Sequence, residues 1–171
     1  EERNYVFFLE KFIKYLDPFV ETFAYCLMPN HFHFLVRVRE EIEADGIAKQ
    51  VEAKHVTNAI KNWLISYTQS YHKVFGTKGN LYYQKIRRKI INEEEYLTNL
   101  IVYINLNPVL HGFVDFPYQW NYSSYKATIS NQPTKILRNE VIDLFGGLDN
   151  FKYYHDLKIL EKFLEKFEVE F

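Results

Sequence analysis

Two short patterns in this chain gather side chains that can do chemistry. In His31-Phe32-His33-Phe34-Leu35-Val36-Arg37-Val38-Arg39, polar and apolar residues largely alternate. Side chains on a strand change face at every residue, so His31 and His33 project together with Leu35, Arg37 and Arg39. Phe32, Phe34, Val36 and Val38 form the other face, which is expected to be core. Two imidazoles at i and i+2 can share one cation: Mn, Zn or Ni, and with oxygen partners also Mg. Arg37 and Arg39 continue that face, where a phosphate could sit. The same spacing also describes two surface histidines on an exposed sheet face, and alternation does not choose between the two.

The second pattern is Tyr103-Ile104-Asn105-Leu106-Asn107-Pro108. Positions 103 and 107 are i and i+4, so they share one face of a helix. An amide oxygen can ligate a metal, and a phenol can be a nucleophile. With an ordinary pKa of about 10, a phenol needs a cation or base to assist it. Asn107 before Pro108 could equally be a helix-end residue.

The elements that must position these groups follow from periodicity and punctuation. Residues 3–16 carry Val6, Leu9, Phe12, Ile13 and Leu16 at helical spacing, and Pro18 ends that helix. Residues 19–28 and 31–39 read as strands joined by Pro29-Asn30 into a hairpin. Residues 45–75 read as mostly helical, and 80–91 as a third strand. Glu93, Glu94 and Glu95 open a helix that should stop before Pro108, since acids favour the positive end of the helix dipole. A short helix near Ser123 and two more at 137–145 and 149–167 complete the chain. This order is α+β. With one strand placed in front, it becomes a ferredoxin-like split βαβ antiparallel sheet with helices on one face, plus a C-terminal helical extension. The chain opens on Glu1 rather than Met, which fits a clipped start and a missing first strand. The expected division is a catalytic domain over 1–125 and a helical extension over 126–171.

Composition narrows the classes. With 47% apolar and 25% charged residues, the chain is a globular protein rather than a disordered one. No apolar run approaches the roughly 20 residues of a membrane span, so no membrane partner is expected. A lone cysteine, Cys26, and the lack of a signal peptide suit a reducing cytoplasm. Near-balance between 21 Lys+Arg and 22 Asp+Glu excludes a polybasic protein but hides an asymmetry. Thr57 to Asn92 holds seven cations and no acid, whereas Glu140 to Phe171 holds eight acids against four lysines. The basic middle could meet a polyanion.

Taken together, Tyr25-Cys26-Leu27-Met28-Pro29-Asn30-His31-Phe32-His33-Phe34-Leu35-Val36 and Tyr103-Ile104-Asn105-Leu106-Asn107-Pro108-Val109 resemble the single-tyrosine HUH transposases, in particular the REP-associated tyrosine transposases. The resemblance runs from about Asn4 to Tyr125 and takes in Trp120-Asn121-Tyr122-Ser123-Ser124-Tyr125. It implies that His31, His33 and Asn107 hold a divalent ion, Mg or Mn. It implies that Tyr103 is the nucleophile of single-strand cleavage, leaving a 5′-phosphotyrosine link and a free 3′-hydroxyl. The implied partner is single-stranded DNA with hairpin structure, bound by a monomer or homodimer in the bacterial cytoplasm, at the nucleoid. Where Leu110 stands, the family often has a basic residue, so a phosphate contact there would fall to His111.

On the expected third strand, Lys85, Arg87 and Lys89 share one face and Arg88 takes the other; with Arg37 they are candidate DNA-backbone contacts. Tyr82, Tyr83, Trp120, Tyr122 and Tyr125 are candidates to stack on bases. Two other readings stay in view. One is a domesticated, catalytically silent single-stranded nucleic-acid-binding module. The other is a metal-dependent hydrolase without a covalent step, for which no general base is visible beside the histidines.

Overall fold

The computed structural model describes residues 1–44, 46–82, 86–92 and 94–156. The architecture is α+β, with two small antiparallel sheets, several helices and a helical C-terminal part. The chain divides into two compact units: Glu1–Glu21 with Arg37–Ile90, and Thr22–Val36 with the chain from Ile91 onward. Among the described residues, no helix is long and apolar enough to cross a membrane.

In the first unit, α1 (Glu2–Leu16) packs on α2 (Ala53–Phe75). Phe8, Phe12 and Leu16 recur every four residues, which turns one helix face inward, and all three are buried. Phe8 and Phe12 meet Trp63 of α2, which is buried along with Ala59 of the same helix. The Phe8 and Phe12 rings lie 4.6 and 5.2 Å from that of Trp63, whose Nε1 donates to the Phe8 carbonyl at 3.2 Å. The polar edge of the indole is thus satisfied where its body is buried. Gly76, with φ of 64°, ends α2 in the left-handed conformation that glycine adopts without a Cβ penalty.

Two expectations fail in this unit. The helix expected over 45–75 begins only at Ala53, and before it a second hairpin forms, β3 (Glu41–Ala44) with β4 (Ile47–Gln50), Glu41 opposite Gln50. Its sequence signal is Asp45-Gly46, a tight-turn pair, with Gly46 at φ of 73°. The strand expected at 80–91 is not formed in the described residues. Arg87, Arg88, Lys89 and Ile90 are exposed there and lie in no described strand; β-propensity is expressed only where a neighbouring strand supports it.

In the second unit, β1 (Val20–Leu27) and β2 (Phe32–Val38) form the expected hairpin, closed by Met28 N donating to the His31 carbonyl at 2.8 Å. The chain at 122–124 also bonds to β1: Leu27 N donates to Tyr122 O, and Ser124 N to Tyr25 O. At 136–137, Leu137 N donates to Thr22 O. The helix α3 (Glu94–Leu110) runs through the middle of this unit. Ile101, Val102, Ile104, Asn105, Leu106, Asn107 and Pro108 are all buried, so it is covered on every side rather than on one stripe. The short helices α4 (Tyr125–Ile129), α5 (Arg138–Leu144) and α6 (Leu148–Tyr154) follow. Val141 of α5, Phe151 of α6 and Phe145 between them join the core around Ile101.

The helix α3 does not stop before Pro108. It passes through the proline for one further turn and closes on Gly112, whose φ is 69°. Phe113 N donates to Pro108 O at 2.8 Å and Gly112 N to Val109 O at 2.9 Å, the paired bonds of a Schellman end. A proline one turn from the end forfeits a single amide donor, so the helix survives it. This last turn carries His111 to the place described next.

A candidate metal and nucleophile site

Residues some seventy positions apart converge where α3 crosses the start of β2. His31 Nε2 lies 3.0 Å from Asn107 Oδ1. The His33 ring meets the Tyr103 ring at 5.7 Å and 73°. The two histidine rings are 5.1 Å apart, and the His111 ring stands 5.4 Å from that of His31. His31, His33, Tyr103, Asn107 and His111 therefore form one cluster, all within the second unit.

The histidine face of β2 is the packed one, which corrects the sequence expectation. Leu35 on that face is buried in the core with Ile101 and Ile104, whereas Val38 on the opposite face is 47% exposed. Phe32 and Phe34 are half-buried, with Phe34 stacked on Tyr25 at 5.9 Å. Alternation defines two faces, but only the helix that docks decides which becomes interior. Because α3 covers the histidine face, the imidazoles are partly withdrawn from water.

That withdrawal sets the chemistry of His33. Burial first, then the neighbouring His31 and His111, lowers its pKa to about 4. His33 is therefore neutral near pH 7, the form in which an imidazole offers a lone pair. His31 is held differently. Its Nδ1 lies 2.8 Å from Asn30 Oδ1 while Nε2 faces Asn107 Oδ1, so both ring nitrogens look at amide oxygens. A neutral imidazole carries one proton. With the proton on Nε2, Nε2–H donates to Asn107 Oδ1; with it on Nδ1 and donated to Asn30, the Nε2 lone pair is free for a cation. Asn107 is fully buried and its Nδ2 makes no hydrogen bond among the described residues, which leaves its oxygen as the functional end. The donor set His31, His33 and Asn107 thus fits a divalent cation. Among the described residues, no group of three or more His, Cys, Asp or Glu side chains is assembled as a metal site. Among the described residues no carboxylate joins the cluster, and Glu40 and Glu41 fall in the first unit.

Asn30 is a residue that sequence reasoning passed over, although it lies in the Pro29-Asn30 turn. Its side chain orients the His31 ring, the usual service of a neighbour to a ligating histidine. A buried polar network behind α3 was also missed. Asn105 stands about 200° around the helix from Tyr103 at ~100° per residue. Ser124 Oγ donates to Asn105 Oδ1 at 2.7 Å and accepts from Tyr25 N at 3.0 Å. Asn105 Nδ2 lies 3.2 Å from His155 Nε2, and His155 Nδ1 lies 2.7 Å from the Phe151 carbonyl. The consistent proton placement is Nδ1–H donating to Phe151 and Nε2 accepting from Asn105. Burial lowers the His155 pKa to about 4, against the opposing pull of backbone carbonyls at Phe151 and Ile101. The helix is thus pegged by amides on both sides, Asn107 in front and Asn105 behind.

The basic candidates lie elsewhere. Arg37 pairs with Glu21 at 2.7 Å, and Arg39 shares the same carboxylate at 3.0 Å. Arg88 donates to Thr57 Oγ1 at 3.2 Å, while Arg87 and Lys89 are exposed. These residues belong to the first unit, and Lys85 lies outside the described residues. Among the stacking candidates, Tyr125 is buried, Tyr82, Trp120 and Tyr122 are half-buried, and Tyr83 lies outside the described residues. The well-exposed rings in this part of the chain are instead Phe113, Phe116 and Tyr118.

Over 112 residues the chain is 27% identical to a Haemophilus influenzae protein named REP-associated tyrosine transposase, an alignment covering 66% of this chain and 62% of that relative's length. No family model matches the chain, and no solved structure matches it.

Proposed function

We propose that the protein is a transposase-type enzyme that cleaves and rejoins single-stranded DNA through a covalent tyrosine intermediate. The observation that carries this reading is the convergence of Tyr103, His33, His31 and Asn107 from two distant segments onto one point. The resemblance of those segments to single-tyrosine transposases, and the transposase name of the relative, point the same way. Tyr103 attacks the scissile phosphorus in line. Its oxygen forms the new P–O bond and loses the phenolic proton, and the P–O3′ bond breaks, so the 3′-oxygen leaves as a hydroxyl. The 5′-phosphate stays on Tyr103. Because the phosphodiester bond energy is retained in that link, a second 3′-hydroxyl can reverse the step without a nucleotide cofactor. A bound Mg or Mn would polarise the phosphate and offset developing charge. His31, His33 and Asn107 would hold it, and His111, whose ring lies 5.4 Å from that of His31, would take a phosphate oxygen. A hairpin-bearing single strand would be the substrate, and Arg87, Arg88 and Lys89 are exposed cations of the kind that track a phosphate backbone.

The test is adduct formation with labelled single-stranded and hairpin oligonucleotides in Mg or Mn, read on a denaturing gel. A metal-dependent shifted band that vanishes in Tyr103→Phe is expected. Undiminished adduct in that variant, or no adduct on oligonucleotides that the wild type binds, overturns the covalent mechanism; the second result leaves a binding module.

A further inference from the structure

The loop that follows α3 presents aromatic rings to solvent. Phe113, Phe116 and Tyr118 are 50%, 47% and 49% exposed. Exposed aromatic rings gathered within six positions are candidates for an interaction surface. Their arrangement is built rather than loose. Gln119 Oε1 accepts from both Asp115 N and Phe116 N at 2.9 Å, which closes the turn over Pro117–Gln119. Within that turn Phe116 and Tyr118 stack nearly parallel, 5.4 Å between centroids and 11° between planes. Phe113 leans on Trp120 at 5.7 Å, and Trp120 Nε1 is fastened to the Leu27 carbonyl at 3.0 Å.

We infer that Phe113, Phe116 and Tyr118 form a stacking platform for unpaired bases flanking the cleaved phosphate, an inference that rests on the single-stranded DNA reading above. Two observations select this occupant. The loop is continuous with the site at both ends: it leaves from His111, beside His31, and returns through Trp120 to Leu27, which leads directly into the Met28–His31 turn. Its charge is also wrong for phosphate. Between Gly112 and Tyr125 there is no Lys or Arg, and the one charged group is the carboxylate of Asp115. Such a surface repels the backbone and offers only ring faces. Base–aromatic stacking needs no more, and it is largely indifferent to sequence.

The test is equilibrium binding of fluorescent oligonucleotides to the full chain in EDTA, so that no cleavage intervenes. Phe116→Ala and Tyr118→Ala should each weaken single-strand binding by about 5- to 100-fold. The loss should be the same at low and high salt, because no counterion is released from this surface. It should shrink when the oligonucleotide carries abasic sites, and Phe116→Trp should restore affinity. Unchanged binding in both alanine variants, with the wild type binding normally, overturns the platform and leaves the covalent chemistry untouched. A wild type that binds no single strand at all overturns the single-stranded DNA reading itself. Variants that convert a dimer to a monomer in sedimentation, with binding intact, assign the patch to a second copy instead.

Discussion

His31 Nε2 and Asn107 Oδ1 stand 3.0 Å apart across 76 positions of chain, one before a strand and the other at full burial near a helix end. Nε2–H of His31 donating to Asn107 Oδ1 accounts for that distance, and the same two atoms are those a divalent ion would draw on once Nε2 is deprotonated. Replacing Asn107 by Leu keeps the volume but removes the oxygen. Manganese affinity, followed by calorimetry or by the free Mn signal in electron paramagnetic resonance, should fall by more than about 10-fold, the effect typical of a merely orienting neighbour. Asn107→Asp should tighten it, since a carboxylate is the harder ligand. Equal affinity in all three proteins would remove Asn107 from the metal site.

Asn30 tests the orienting role separately. It touches His31 Nδ1 and no other described site residue, so Asn30→Ala should cost about 10-fold in metal affinity while leaving thermal stability nearly unchanged. An unaltered titration would show that the His31 ring is held by packing alone.

The buried network behind α3 predicts a pH dependence of folding. The His155 pKa is lowered to about 4 by burial, against about 6.5 in the unfolded chain. The unfolded state therefore takes up the proton first. The contribution of His155 is complete above pH 6.5, falls away as the pH drops towards 4, and is constant below that. Over the whole window it is on the order of 3 kcal/mol at ~1.4 kcal/mol per unit. His33 is shifted in the same direction, so the apo protein should lose stability with the uptake of up to two protons. In urea melts from pH 7.5 to 4, His155→Leu should flatten the profile by one proton. A profile as steep as the wild type's would mean that His155 is not the titrating group.

Asn105 connects that network to the helix. Asn105→Leu would leave the Ser124 hydroxyl and His155 Nε2 buried without this partner, each at about 1–3 kcal/mol. Chemical denaturation should show a loss of roughly 2–5 kcal/mol. A loss below 1 kcal/mol would show that water or local relaxation replaces the amide.

What the residues disclosed in advance was local, and what they withheld was not. The His-x-His spacing, the i, i+4 relation of Tyr103 and Asn107, and the Pro29-Asn30 turn are short-range patterns, and they place the cluster on one strand and one helix. Which face of β2 becomes interior depends on α3 docking there, sixty residues on, and Leu35 alone among apolar neighbours hinted at it. The Asp45-Gly46 turn was a legible hairpin signal overridden by the helical look of the following stretch. The 80–91 segment has strand-like residues but no strand to pair with in the described chain. Asn105 and His155 carry no motif at all, because a buried amide and imidazole are recognisable only once their partners are placed.

Glu21 holds both Arg37 and Arg39, at 2.7 and 3.0 Å, so two of the cations best suited to a phosphate backbone spend their charge on a carboxylate. Glu21 is more buried than either arginine, with its side chain 22% exposed against 47% and 37%, so the pair is organised around it. Glu21→Gln removes the charge and keeps the shape, which releases both guanidinium groups from that ion pair. If they face the nucleic acid, affinity for any single-stranded oligonucleotide should rise several-fold at low salt. The slope of log K against log salt should steepen by about 0.7 for each phosphate newly neutralised. The gain should be independent of base sequence and insensitive to abasic substitution, the opposite signature to that of the aromatic loop. An unchanged slope would show that Arg37 and Arg39 serve only to brace the end of the hairpin, and that the backbone contacts come from Arg87, Arg88 and Lys89.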